Sequence, residues 1–217
     1  MLANVGRNLA KAARLAFGGE LPQLRYELWN KWKGVDLEFV SVEDLGLPHD
    51  RAHFHSSSGG PALARVFGAI EIPAGSVAID LGSGKGGAMC TLRRAGFAEV
   101  IGVELSGELI EIARRNAARL GCRNVRFIQA DASTFSDYDR VTHVYMYNPF
   151  PCGVMTQAMA HLAASMRRAP RRVVIVYRNA ECHDAIMASG LFDAEVERHH
   201  DQHAWRVYRS RRLACPP

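Results

Sequence analysis

Cysteine is scarce and scattered, with five among 217 residues, at positions 90, 122, 152, 182 and 215, and no C-x-x-C pair. That spacing argues against a disulfide framework and against a zinc knuckle, and it points to a reducing cytoplasm. Long apolar runs are missing as well. No stretch reaches the ~20 uninterrupted apolar residues that a helical membrane span requires, and the candidates, such as Val173 to Tyr177, are strand-sized. Repeats and low-complexity tracts are absent. The charge excess is small and dispersed, Lys+Arg 27 against Asp+Glu 22 for a net +5, so no nucleic-acid or membrane partner is demanded. What is present, 48% hydrophobic and 23% charged residues, suits a globular protein and excludes wholesale disorder, collagen-like repeats and coiled coil. Against a typical domain of ~150 residues, the length suggests one domain with an extension.

At the N-terminus Leu2, Val5, Leu9, Ala12, Ala16 and Phe17 fall near helical spacing, with Arg7, Lys11 and Arg14 carrying the charge before Glu20. Basic residues interrupting the apolar positions argue against a secretory signal. The pattern predicts an amphipathic helix folded onto the main domain, with peripheral contact to a membrane or partner through residues 1–18 as the alternative. Trp29, Trp32, Lys33 and Gly34, then the His- and Ser-rich run from His49 to Gly60, predict a helix followed by a mobile lid. Residues 1–60 therefore read as an N-terminal helical cap over the carboxyl edge of the sheet, and 61–217 as the main domain.

From about residue 60 short β-branched runs alternate with helical patterns, the signature of βαβ units around a parallel sheet. Helices are expected at Ala62–Ala69, Gly87–Ala95, Gly107–Leu120, Gly153–Arg167 and Ala185–Ser189. Strands are expected at Ser76–Leu81, Val100–Leu105, Val125–Ala130, Thr142–Tyr147, Val173–Tyr177, Ala194–His199 and Ala204–Ser210. Only His200 to His203 separate the last two strands, too few residues for a crossover, so an antiparallel hairpin must end the sheet. The fold class is α/β: a doubly wound, mostly parallel seven-stranded sheet.

The chemistry concentrates at predicted strand ends. Asp80-Leu81-Gly82-Ser83-Gly84-Lys85-Gly86-Gly87 is a glycine-rich turn between a strand and a helix, where the backbone can approach a ligand closely. Gly82, Gly84 and Gly87 also satisfy the G-x-G-x-x-G fingerprint of dinucleotide binders. Asp80 discriminates, because a carboxylate there repels a pyrophosphate and suits a ligand carrying an ammonium and a sulfonium. Glu104, 24 positions on, can accept both hydroxyls of a ribose. Gln129-Ala130-Asp131-Ala132 puts an acceptor for an exocyclic adenine amine on the same edge.

Together these residues resemble the class I S-adenosylmethionine-dependent methyltransferases, whose first motif is an acidic residue followed by G-x-G-x-G, here Asp80, Gly82, Gly84 and Gly86. The resemblance spans roughly Pro61 to Arg209. The strings D-L-G-S-G-K-G and G-V-E-L-S are most similar to uncharacterised bacterial methyltransferases, and more loosely to histone-lysine methyltransferases that lack a SET domain. The resemblance implies S-adenosyl-L-methionine as cofactor, with Asp80 at the methionine ammonium and the Gly82, Ser83, Gly84 and Gly86 backbone beneath the methionine. It implies Glu104 at the ribose with Leu105 beside it, and Asp131 with the Ala132 N–H at the adenine.

Tyr147-Asn148-Pro149-Phe150-Pro151 is similar to the N-P-P-Y motif of amide and amine N-methyltransferases, with Phe150 and Pro151 exchanged relative to that order. Asn148 and Tyr147 are accordingly the expected catalytic residues, with Tyr177 beside them, while the competing reading of the motif is a rigid strand-to-helix turn. The expected reaction is methyl transfer to a small-molecule or protein side-chain nucleophile, nitrogen preferred over oxygen; His53 or His55 would serve as base for an oxygen acceptor. A nucleic-acid acceptor is disfavoured because 217 residues leave little room for a recognition domain. An NAD-dependent oxidoreductase is the first alternative, set back by Asp80 and by the absence of a Tyr-x-x-x-Lys pair. A non-catalytic S-adenosylmethionine-binding module is the second. No metal is expected: His49, His53 and His55, and separately His199, His200 and His203, lack an evident cysteine or carboxylate partner.

Overall fold

The computed structural model describes residues 21–200 and 203–211. The reading of residues 1–18 lies outside them. Helix α1 (Leu21–Trp32) leads into an irregular segment that ends at α2 (Pro61–Gly68). The alternating part follows as β1 (Val77–Leu81), α3 (Met89–Arg94), β2 (Glu99–Glu104), α4 (Gly107–Arg119), β3 (Val125–Gln129), β4 (His143–Tyr147), α5 (Cys152–Arg168), β5 (Val174–Arg178), α6 (His183–Ala188), β6 (Phe192–His200) and β7 (His203–Ser210). One sheet holds all seven strands in the order β3-β2-β1-β4-β5-β7-β6. The first five are mutually parallel, and β7 runs antiparallel between β5 and β6, as the short connection requires. Among the described residues no helix is long and apolar enough to cross a membrane.

Period-2 alternation divides the strands between two cores. In β1, Val77, Ile79 and Leu81 join the layer of Met155, Met159 and Leu162 from α5, while Ala78 packs with Leu63, Val66 and Phe67 from α2. Burial on both faces explains why these strands read as continuous apolar runs. Strand order reverses where β1 lies between β2 and β4, and the carboxyl ends of all three open onto that switch point. Helix α4 starts there: the Ser106 hydroxyl accepts from the Leu109 N–H at 3.3 Å, a cap worth about 1 kcal/mol.

Two expectations need correction. The helix expected at Gly87–Ala95 shortens to Met89–Arg94, because residues 82–88 form the turn that precedes it. The cysteine reading also fails, since Cys152 and Cys182 form a disulfide. The physical reason is the βαβ pitch. Tyr147 pairs in register with Arg178 on neighbouring parallel strands, so cysteines shortly after each strand meet at the same edge although 30 residues separate them. A rule keyed to C-x-x-C spacing cannot see such a pair, and the cysteine argument for a reducing compartment goes with it.

Candidate functional site

The turn after β1 is hooked onto β2 by the Gly82 and Ser83 N–H groups, which donate to the Val103 carbonyl at 2.9 and 3.0 Å. Gly82 and Gly84 adopt φ of 74° and 52°, a left-handed backbone that disfavours side chains. Space forbids them too. A Cβ on Gly82 would lie 2.3 Å from Pro149 Cβ, and one on Gly84 would lie 2.1 Å from His55 Nδ1. The glycines thus admit the 148–151 turn on one side and the 53–58 segment on the other. Gly102, opposite Asp80 in register, leaves room for the Ser83 side chain, whose buried hydroxyl has no hydrogen-bond partner.

Between these walls lies a narrow cleft with about 60 Å³ of open space. Asp80, Gly82, Ser83, Gly84, Glu104, Leu105, Asp131, Ala132 and Tyr147 all line it. Gly86 sits just behind, its would-be Cβ 3.1 Å from Ala113. Asn148 is not on this wall. It takes φ of 37° just after β4 and lines a second cleft, of about 410 Å³, which shares Ala52, His53 and Phe54 with the first.

Asp80 is 3% exposed. Burial, with repulsion from Glu104, pushes its carboxyl up from 3.8 to about 8. Burial raises Glu104 as well, even though backbone N–H bonds pull the other way. Glu104 Oε2 accepts from the Gly84 N–H at 2.8 Å and Oε1 from the Ser106 N–H at 2.9 Å, which leaves a further lone pair on each oxygen. Lys85 does not relieve these acids. Its ammonium turns away to Asp36 Oδ1 at 2.7 Å, in a pair that Asn116 braces by donating to the Asp36 and Lys85 carbonyls. Burial raises the Asp36 carboxyl, but the Lys85 bond and charge outweigh it and leave the group below its usual range. Among the described residues the cleft therefore presents two buried carboxyl groups with no cation paired to them, an arrangement that favours a positively charged ligand and disfavours a pyrophosphate.

The third acid differs. Asp131 Oδ1 accepts from the Ser133 N–H at 2.8 Å, and Oδ2 takes the Arg51 guanidinium at 3.3 Å. Burial works against ionisation there, but the Ser133 bonds and Arg51 hold the carboxyl below its ordinary value. The segment from His49 to Gly60 is a strap tied down at several points. The His53 N–H donates to the Pro149 carbonyl at 2.9 Å, His55 bridges Val40, and the Gly60 N–H reaches Thr91 Oγ1 at 2.9 Å. Burial and the nearby Lys85 charge lower His55 to about 4, so its imidazole is neutral at pH 7. Asp36 escaped the sequence reading, which had no periodicity or motif to find it by, while Arg51 and the serines 56–58 lay in the His49–Gly60 run read as a lid but were given no individual role.

Residues 78–172 match a family model described as "Methyltransferase domain". The matched segment is thus similar to that domain over fewer than half of the chain's residues. Among curated relatives of the domain, a protein-L-isoaspartate O-methyltransferase of Thermotoga maritima is 30% identical over 49% of this chain and 36% of its own length. The methyltransferase ungE' of Aspergillus campestris is 29% identical over 68% of this chain and 46% of its own length. The chain thus spans less than half the length of these relatives. Among solved structures, an RNA methyltransferase from Salinibacter ruber in complex with S-adenosyl-L-homocysteine superposes with a TM-score of 0.54 at 21% identity, covering 74% of this chain and 95% of that one. A SAM-dependent methyltransferase from Aquifex aeolicus gives 0.55 at 13% identity, covering 68% and 88%. At these identities the superpositions establish the fold alone.

Proposed function

We propose that this chain is an S-adenosylmethionine-dependent methyltransferase that holds its cofactor in the Asp80–Glu104 cleft and methylates a small-molecule or protein side-chain nucleophile, nitrogen in preference to oxygen. The observation that carries the reading is the buried, uncompensated carboxylate pair. A ligand bearing ammonium and sulfonium charges supplies the cation these acids lack, and the dinucleotide alternative does not. When bound, S-adenosylmethionine supplies a methyl group already activated by its positively charged sulfur.

This chain's own residues then have four tasks. Asp80, once ionised, receives the ammonium, while Gly82, Ser83, Gly84 and Gly86 give up side-chain volume to let the ligand lie against backbone. Glu104, steadied by its two N–H donors, offers its free lone pairs to ribose hydroxyls, with Leu105 alongside. Asp131 and the Ala132 N–H meet the base, which requires Arg51 to share or release Asp131. Residues 21–60 act as a cap, the strap around His53–Ser58 excluding water from the acceptor side. Tyr147 on the cofactor wall and Asn148 behind it are the acceptor-side residues, and Tyr177 steadies Asn148 by donating its hydroxyl to Oδ1 at 3.3 Å.

The test is a binding and turnover pair. S-adenosylhomocysteine should bind and NAD should not, and radiolabelled methyl should pass to an amine acceptor. Binding without transfer to any amine, hydroxyl or protein acceptor would leave a binding module instead of an enzyme.

A further inference from the structure

The second cleft has a composition unlike the first. Two aromatic rings stand on it largely exposed, Phe39 at 63% and Phe54 at 57%, with centroids 5.3 Å apart and planes tilted by 40°. Two carboxylates line it, Glu43 and Glu181, and among the described residues no lysine or arginine does. Glu43 is held below its ordinary carboxylate range by its own backbone N–H, the Ser41 hydroxyl and the neighbouring His49, so it is anionic at neutral pH. Glu181 accepts from Asn179 Nδ2 at 2.9 Å. At the inner end the His53 ring faces the Asn148 carbonyl, 3.0 Å from Nδ1. A carbonyl only accepts, so Nδ1 carries the proton and the neutral ring keeps its lone pair on Nε2.

We infer that this cleft is the acceptor site and that it takes a small organic amine, cationic in solution and carrying an apolar or aromatic body. The inference rests on the methyl-transfer reading for its purpose, but its own evidence is the charge and shape of the cleft. Exposed aromatic faces beside carboxylates bind alkylammonium groups through the ring quadrupole and direct charge attraction, and an apolar body covers the two phenyl rings that water now faces. The volume of about 410 Å³ fits a small molecule. Ala52, His53 and Phe54 line both this cleft and the cofactor cleft, which places the two side by side. An amine beside Glu43 and Glu181 shares its cleft with two groups able to act on its N–H bonds: His53, whose Nε2 lone pair can take the proton an ammonium must lose before its nitrogen has a lone pair, and the Asn148 side chain, which can orient it.

The test compares phenethylamine with phenethyl alcohol, which keeps the body and removes the cation, by calorimetry on the full chain saturated with S-adenosylhomocysteine. The amine should bind at least tenfold more tightly than the alcohol. In Glu43→Gln/Glu181→Gln that preference should fall by about tenfold while S-adenosylhomocysteine affinity stays unchanged, and Phe54→Ala should weaken both probes together. Equal binding of amine and alcohol, or a carboxamide double variant that keeps the preference, overturns the assignment. Labelled methyl passing to a lysyl peptide but to no small amine overturns the small-molecule class. A protein that fails to bind S-adenosylhomocysteine refutes the proposed function, whereas the same titrations on the free protein still decide whether the cleft prefers an amine.

Discussion

Replacing Asp80 by asparagine should stabilise the ligand-free protein at alkaline pH while damaging cofactor binding. Asp80 is raised from 3.8 to about 8 by burial and by Glu104, so between those values the folded state holds a proton that the unfolded chain has released. Stability from this group is complete below pH ~4 and is lost as pH climbs through about 8. At 1.36 kcal/mol for each pH unit, the loss has a ceiling of roughly 6 kcal/mol, and water entering the open cleft reduces it to ~2–3 kcal/mol. Asparagine preserves the shape and removes the charge. For a chain of this length the gain corresponds to a melting temperature higher by about 5–10 °C, at pH 8.5 and not at pH 4.5. His55 and His143, both lowered by burial to about 4, act with the opposite sign below pH 6.5, and comparing variant with wild type at each pH cancels them. Thermal denaturation across pH 4.5 to 8.5 is the assay. A variant whose offset from wild type does not change with pH would refute the claim that an uncompensated carboxylate sits in the cleft.

Asn148→Ala should lower turnover at least tenfold while leaving S-adenosylhomocysteine affinity within about twofold, because a misplaced acceptor costs rate more than cofactor binding; equal losses in both would assign Asn148 to folding. Gly84→Ala should cost ~2 kcal/mol or more in chemical denaturation, since its Cβ would lie 2.1 Å from His55 in a left-handed backbone, and a neutral result would mean that the strap lifts freely. Cys152→Ser/Cys182→Ser should cost about 3 kcal/mol, from the entropy of opening a loop closed over a sequence separation of 30, with no change in cofactor affinity.

Much of the fold was legible because its signals are local. Ser106 caps α4 where the pattern begins, Gly121 follows where it ends, and four residues between the last strands permit only a hairpin. Strand ends fixed in this way bring Asp80, Glu104 and Asp131 to one edge. What escaped depends on contacts between distant segments. Asp36 meets Lys85 and Arg51 meets Asp131 across 49 and 80 residues, from a stretch whose irregular backbone leaves no periodic trace. Cys152 and Cys182 meet only once β4 and β5 pair. Asn148 looked like a continuation of its strand into the cofactor edge, but its φ of 37° turns the chain there and gives its side chain to the neighbouring cleft. Ordinary propensities disfavour that conformation, although Asn tolerates it better than most residues.

The central claim is that two buried acids await a cationic nucleoside, and calorimetric titration with S-adenosylmethionine in buffers of differing ionisation enthalpy tests it most directly. Binding near pH 7 should release a proton from Asp80 as the ligand's charge arrives, NAD should give no heat of binding, and Asp80→Ala or Glu104→Ala should weaken S-adenosylmethionine by ~1.5–3 kcal/mol, the scale of a hydrogen bond to a charged group. Proton-neutral binding with undiminished affinity in both variants, or a preference for NAD, would contradict the account.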